Sequence, residues 1–113
     1  MSTADDDQTA TRVPAKACTS MAEVRQEIDH LDRLTVALLA ERQTYIEAAG
    51  HIKSSRDNVR DNVRVEDVIQ KVLAEAEACG LSADIAEPVW RTLIERCISH
   101  EYDVYDAARK DES

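Results

Sequence analysis

From Val24 onward the chain keeps one stripe at alternating steps of four and three residues: Val24, Ile28, Leu31, Thr35, Leu38, Arg42, Tyr45, Ala49 and Ile52. A heptad-like stripe of this kind marks one long helix packed against other helices. Ser20 followed by Glu23 fits a capping box, so the helix is predicted to start near Thr19 or Ser20 and run to about Ser54. Its length would be about 50 Å, beyond ordinary globular helices, which points to intertwined or coiled packing. A near-tandem repeat follows, Asp57-Asn58-Val59-Arg60 and then Asp61-Asn62-Val63-Arg64. Its Asn and Asp residues predict a loop over the first copy and an N-cap at Asp61 or Asn62 in the second. Val65, Val68, Ile69, Val72, Leu73 and Ala76 share one side of a second helix that Gly80 closes. A third helix starts at Ser82 or Asp84 and tolerates Pro88 near its first turn. It repeats the four-three spacing at Trp90, Ile94, Cys97, Glu101 and Val104. The pattern predicts an all-α chain of three helices with a very long first one. Residues 1–17, polar and carrying Asp5, Asp6 and Asp7, are expected to be a disordered tail. Residues 18–108 would form the helical domain, and 109–113 a frayed end.

Two charged residues interrupt the stripes, and the first is Arg42. A buried guanidinium is costly unless a protein carboxylate or an anionic ligand pairs with it. Lys53 follows eleven residues later. At about 100° per residue the two side chains point within roughly 20° of each other, about 16 Å apart along the axis. Two cations in phase on an inward face suggest a site for a small, multiply charged anion. Arg25 lies 17 residues before Arg42, about 25 Å away along one straight helix. If both grip one small molecule, Arg25 must come from a second copy of the chain. Glu101 is the polar interruption on the third helix.

Composition narrows the classes. The 113 residues include no Phe and one Trp, so the core is aliphatic; with only two Gly and two Pro, turns are few. Three long helices of this size close a core poorly alone, and oligomerisation is expected. The formal net charge of −9 argues against nucleic-acid and anionic-membrane partners, and it makes a local cluster of cations more telling. No apolar run is long enough to span a membrane, and the N-terminus lacks the basic-then-apolar pattern of a secretory signal. Cys18, Cys79 and Cys97 lack metal-ligand spacing and read as reduced thiols of a cytoplasmic protein. With His30, His51 and His100 scattered, no metal site is expected.

The segments Val24-Arg25-Gln26-Glu27-Ile28-Asp29-His30-Leu31-Asp32 and Leu38-Leu39-Ala40-Glu41-Arg42, with Lys53, resemble the first helix of the all-helical chorismate mutases. Residues 59–64 resemble that family's short loop and second-helix start. Gly80-Leu81 and the third helix resemble the rest, so the likeness covers about residues 18–105. It implies three helices per chain, interlocked as a homodimer in which each long helix helps build both sites. It implies a small dianionic substrate, no cofactor and no metal. Arg42 and the other chain's Arg25 would bind the two carboxylates of chorismate, and Lys53 would contact one carboxylate and the ether oxygen. Arg64 falls at a further substrate-side arginine, and Asp61 at an aspartate near the ring hydroxyl. Cys97 falls where relatives have a small lining residue, and Ile94, in the same stripe, is taken as lining with it. The implied reaction is a concerted Claisen rearrangement of chorismate to prephenate, which needs orientation and preorganised donors but no nucleophile.

Two positions depart from the family pattern. Glu101 stands where bacterial members have a glutamine that donates to the ether oxygen, whereas an ionised glutamate only accepts. Some members, fungal ones among them, do carry glutamate, and better activity at acidic pH is the expectation. Val65 stands where many mutases have a glutamate touching the ring hydroxyl. Isochorismate pyruvate lyases, which resemble mutases in fold and site, can have an apolar residue there. The stretch Cys18-Thr19, Arg25, Ile28-Asp29, Tyr45 and Ala48-Ala49 also resembles that branch, so formation of salicylate and pyruvate is the alternative. A third reading is a helical interaction protein, in which Arg42 pairs with an acidic residue and Lys53 merely snorkels. That reading gives no reason for cations in phase on the inward face. Tyr45, Trp90 and Tyr102 read as packing residues, His51 as exposed, and Arg64 is preferred to Arg60 as a site member. With no fused catalytic domain in the sequence, the protein is expected to stand alone or to bind a partner enzyme.

Overall fold

The computed structural model describes residues 12–110. Among them lie three α-helices and no strand: α1 (Met21–Ile52), α2 (Asn62–Cys79) and α3 (Ala83–Lys110), with short 3-10 turns at Ala15–Ala17 and Arg56–Asn58. The described residues 12–41 and 42–110 form two compact units.

In the first unit, α1 begins with the predicted box. Ser20 Oγ accepts from the Glu23 N–H at 3.2 Å, and Glu23 Oε1 accepts from the Thr19 N–H at 2.8 Å. Those bonds hold the Glu23 carboxyl below its usual range, the Thr19 N–H being the largest cause. Arg12 and Val13, within the stretch expected to be a tail, are tied to α1. Arg12 Nε sits 3.2 Å from Glu27 Oε1, and the Val13 N–H donates to Glu27 Oε2 at 3.1 Å. Two donors meeting one carboxylate on the helix order this stretch. Asp5, Asp6 and Asp7 lie outside the described residues.

In the second unit, Val59, Ile69, Ile94 and Ile98 form the core, with Val65, Val68, Leu73, Trp90, Tyr102 and Tyr105 packed around it. Ile69 is fully buried, a contribution of about 1.5–3 kcal/mol. Asp61 caps α2 by accepting from the Arg64 N–H at 3.0 Å, as the repeat predicts. Gly80 ends α2 with φ 80°, and the Leu81 N–H reaches back to the Ala76 carbonyl at 2.8 Å. This left-handed position favours glycine and turns the chain so that α3 returns along α2. Pro88 lies inside α3. His100 Nε2 and Glu47 Oε2, 2.7 Å apart, tie α3 to the C-terminal part of α1. That contact is the main cause holding the Glu47 carboxyl below its usual range.

Several apolar side chains of the α1 stripe are uncovered among the described residues: Ile28 and Leu31 are exposed in the first unit, and Tyr45, at 69%, and Ile52 in the second. Tyr45, expected to be a packing residue, is not packed within its unit. At the other end, residues 109 and 110, expected to fray, belong to α3, which runs to Lys110, and Arg109 is anchored. Residues 111–113 lie outside the described residues.

Candidate active site

In the second unit a cleft of about 880 Å³ lies among α1, the loop after it, the start of α2 and the middle of α3. Arg42 and Lys53 both line it, as their shared direction on one helix requires. Arg42 is half-buried, and its Nη1 donates to Cys97 Sγ at 3.2 Å. Lys53 stands immediately past α1, its N–H still bonded to the Ala49 carbonyl at 3.0 Å. Its Nζ lies 2.5 Å from Glu101 Oε2 and 3.5 Å from the Val59 carbonyl oxygen. Glu101 is only 5% exposed. The ammonium–carboxylate contact is close but not aligned as a hydrogen bond, and buried Oε2 has no other partner among the described residues.

Gly50 makes that contact possible. A Cβ there would sit 3.0 Å from Val104 Cγ1 and 3.2 Å from the Glu101 carbonyl oxygen. The missing side chain lets α1 and α3 approach closely, and Lys53, just beyond, meets Glu101.

The loop and the start of α2 form the cationic rim. Arg60 pairs with Glu95 on α3 through two contacts, 2.6 and 3.1 Å, and holds the Glu95 carboxyl below its usual range. Arg64 is exposed and contacts Asp67 at 2.5 Å, with Lys71 on the same carboxylate at 3.0 Å. Lys71 first, and then Arg64, hold the Asp67 carboxyl low. Both repeat arginines therefore line the cleft, one anchored across to α3 and the other along its own helix. Asp61 lines it too, with Oδ1 committed to the α2 cap. Val65, Val68, Ile94 and Ile98 give the cleft an apolar wall, with the Cys97 thiol beside Arg42.

Eight of the nine residues singled out from the sequence surround this one cleft: Arg42, Lys53, Asp61, Arg64, Val65, Ile94, Cys97 and Glu101. Arg25 does not; it is exposed in the first unit. Gly50 and Arg109, which lie behind the cleft, escaped the sequence reading, and Arg60, which lines it, was set behind Arg64. Gly50 had a signal, since an isolated glycine inside a helical pattern has a packing reason. Arg60 had the same repeat context as Arg64. Arg109 had only its place in the last turn of a helix, which says nothing about a partner more than fifty residues away.

Chemically the cleft combines flexible cations, one buried carboxylate and an apolar wall. It suits a compact anion with an apolar body, held by charge-assisted hydrogen bonds. Among the described residues no group of three His, Cys, Asp or Glu side chains could hold a metal ion, and no helix is long and apolar enough to cross a membrane.

The profile of the family described as chorismate mutase type II matches residues 24–102. A protein of Pseudomonas aeruginosa named isochorismate pyruvate lyase is 28% identical over 92 residues, covering 81% of this chain and 91% of that protein.

Proposed function

The chain belongs to the chorismate mutase type II family, and from that premise we propose that it is a chorismate mutase, an isomerase converting chorismate to prephenate. The observation that carries the proposal is the meeting of Arg42, Lys53 and Glu101 around one cleft with an apolar wall. In this reaction the ether C–O bond breaks as a C–C bond forms to the ring, with no atom gained or lost. The protein's work is to hold the enolpyruvyl chain over the ring and to stabilise negative charge growing on the ether oxygen. Arg42 takes one carboxylate through its planar fork. Lys53 has three N–H donors; the Val59 carbonyl draws on one, Glu101 lies against the ammonium as a counter-charge, and the remaining donors are available to the substrate. Arg64 and Asp61 serve the rim, and Val65, Ile94 and Cys97 support the ring.

The second carboxylate is assigned to Arg25 of a second copy. The uncovered α1 stripe supports a homodimer, since exposed Ile28, Leu31, Tyr45 and Ile52 gain by covering one another's surface. Three free cysteines fit a reducing cytoplasmic setting. No cofactor or metal enters the mechanism.

The second reading is isochorismate pyruvate lyase, giving salicylate and pyruvate. It is favoured by the named lyase relative and by Val65, which offers no polar contact to a ring hydroxyl. Purified protein assayed in parallel on chorismate and isochorismate separates the two. Efficient prephenate formation with little salicylate is expected. Dominant salicylate would make the protein a lyase, and neither product from pH 5 to 8 would return it to a helical interaction protein.

A further inference from the structure

A helix C-terminus leaves its last carbonyls without intrahelical partners. In α2 the chain solves this locally with Gly80 in the left-handed conformation. At the end of α1 no glycine follows Ile52; the next residues are Lys53, Ser54 and Ser55. The carbonyls are met instead by a guanidinium from the far end of the chain. Arg109 Nη1 donates to the Gly50 carbonyl at 2.8 Å, and Nη2 donates to those of His51 at 3.3 Å and Lys53 at 2.5 Å. Its Cζ lies 3.9 Å from the Tyr105 ring centroid, so the fork is held flat over an aromatic face. A cation is also the favourable charge at the negative end of the helix dipole.

We propose that Arg109 is a positioning residue for Lys53, an inference that rests on the reading of Lys53 as a substrate-contacting cation. Lys53 is fixed at two points. Its backbone carbonyl is held by Arg109, and its ammonium lies against Glu101 and the Val59 carbonyl. It stands just beyond the last helical residue, where backbone freedom would otherwise return. A flexible four-carbon side chain aims its ammonium only as well as its Cα is held. Arg109 also grips Gly50, the residue whose missing side chain sets the approach of α1 to Glu101. One guanidinium therefore fixes both the origin of Lys53 and the helix crossing that carries its partner.

The test is a double-mutant cycle in the full-length protein with a spectroscopic arm. Arg109→Ala is expected to lower kcat about tenfold or more while KM changes far less, because a misplaced donor is felt chiefly in the transition state. In a Lys53→Ala background the same change should alter the residual kcat by less than about twofold. Arg109→Lys keeps the charge and offers no planar fork, so it should fold with a near-normal Tm and still lose most of the rate. It also carries the test if Arg109→Ala does not fold. The chain has four lysines, which makes lysine-labelled NMR simple. The Lys53 side-chain signal, assigned by its loss in Lys53→Arg, should move toward the solvent-exposed position in the Arg109 variants. Equal rate losses with and without Lys53, or an unmoved Lys53 signal in folded variants, would overturn the proposal. If wild-type protein turned over neither substrate, the enzymatic reading would fall, and the NMR arm would still decide the positioning role.

Discussion

At the scale of single residues, the decisive pair is Lys53 and Glu101, with Nζ and Oε2 2.5 Å apart and the carboxyl almost wholly buried. An ionised Glu101 neutralises Lys53 and can donate nothing to an ether oxygen; a protonated one can donate. Glu101→Gln supplies a donor at every pH and releases Lys53 from a counter-charge. Glu101→Gln is expected to have a kcat/KM at least equal to that of wild type at neutral pH. Steady-state rates of the two proteins side by side check it. A crippled variant would mean the carboxylate serves mainly to hold Lys53. Arg42 was legible at this scale because a cation in an apolar stripe demands an explanation. Its partner, the Cys97 thiol 3.2 Å from Nη1, was not, because spacing along one helix does not say what faces it from another.

Helices and their ends carry the next level. The capping box at Ser20 and Glu23, the Asp61 cap and the Gly80 turn were readable because each is a local hydrogen-bond or backbone requirement spanning a few residues. The crossing of α1 and α3 at Gly50 was not, since it depends on Val104 and the Glu101 carbonyl from a distant helix. Gly50→Ala gains about 1 kcal/mol in helix propensity, while overpacking a tight contact costs about 1–3 kcal/mol. The nearest obstacles include backbone on α3, which cannot rotate away. The variant is therefore expected to have a Tm a few degrees lower and a reduced kcat, since Glu101 shifts relative to Lys53. Thermal denaturation beside steady-state kinetics checks it; raised Tm with full activity would show that the crossing tolerates a methyl group.

For the molecule as a whole, the acidic balance and the uncovered α1 stripe bear on assembly. With a net charge of −9, the cations lining the cleft are a local exception to the global field. Arg25 is not among the residues lining the cleft, and a second copy is proposed to supply it. Arg25→Ala and Arg42→Ala should each be nearly inactive alone. In the proposed shared-site dimer, mixing and subunit exchange would make half of the dimers hybrids, and each hybrid would hold one site with both arginines intact. Activity should then recover to about one quarter of wild type. Sedimentation analysis should show a dimer throughout. No recovery despite proven exchange would place Arg25 outside the shared site.

Whatever depends on neighbours along the chain could be read from the residues alone. That covers three helices, their caps, the direction of Arg42 and Lys53 on one face, and the stripe of Ile94, Cys97 and Glu101 on another. Helical periodicity converts residue spacing directly into side-chain direction, so spacing was enough to make these legible. Which faces meet was settled by the packing of the folded chain. It brought Glu101 onto Lys53, set Cys97 beside Arg42, paired Arg60 with Glu95 and closed the end of α1 with Arg109. One cause is common to all four. Each contact joins residues more than thirty positions apart, and its geometry is set by how closely two helices pack, which no local pattern encodes.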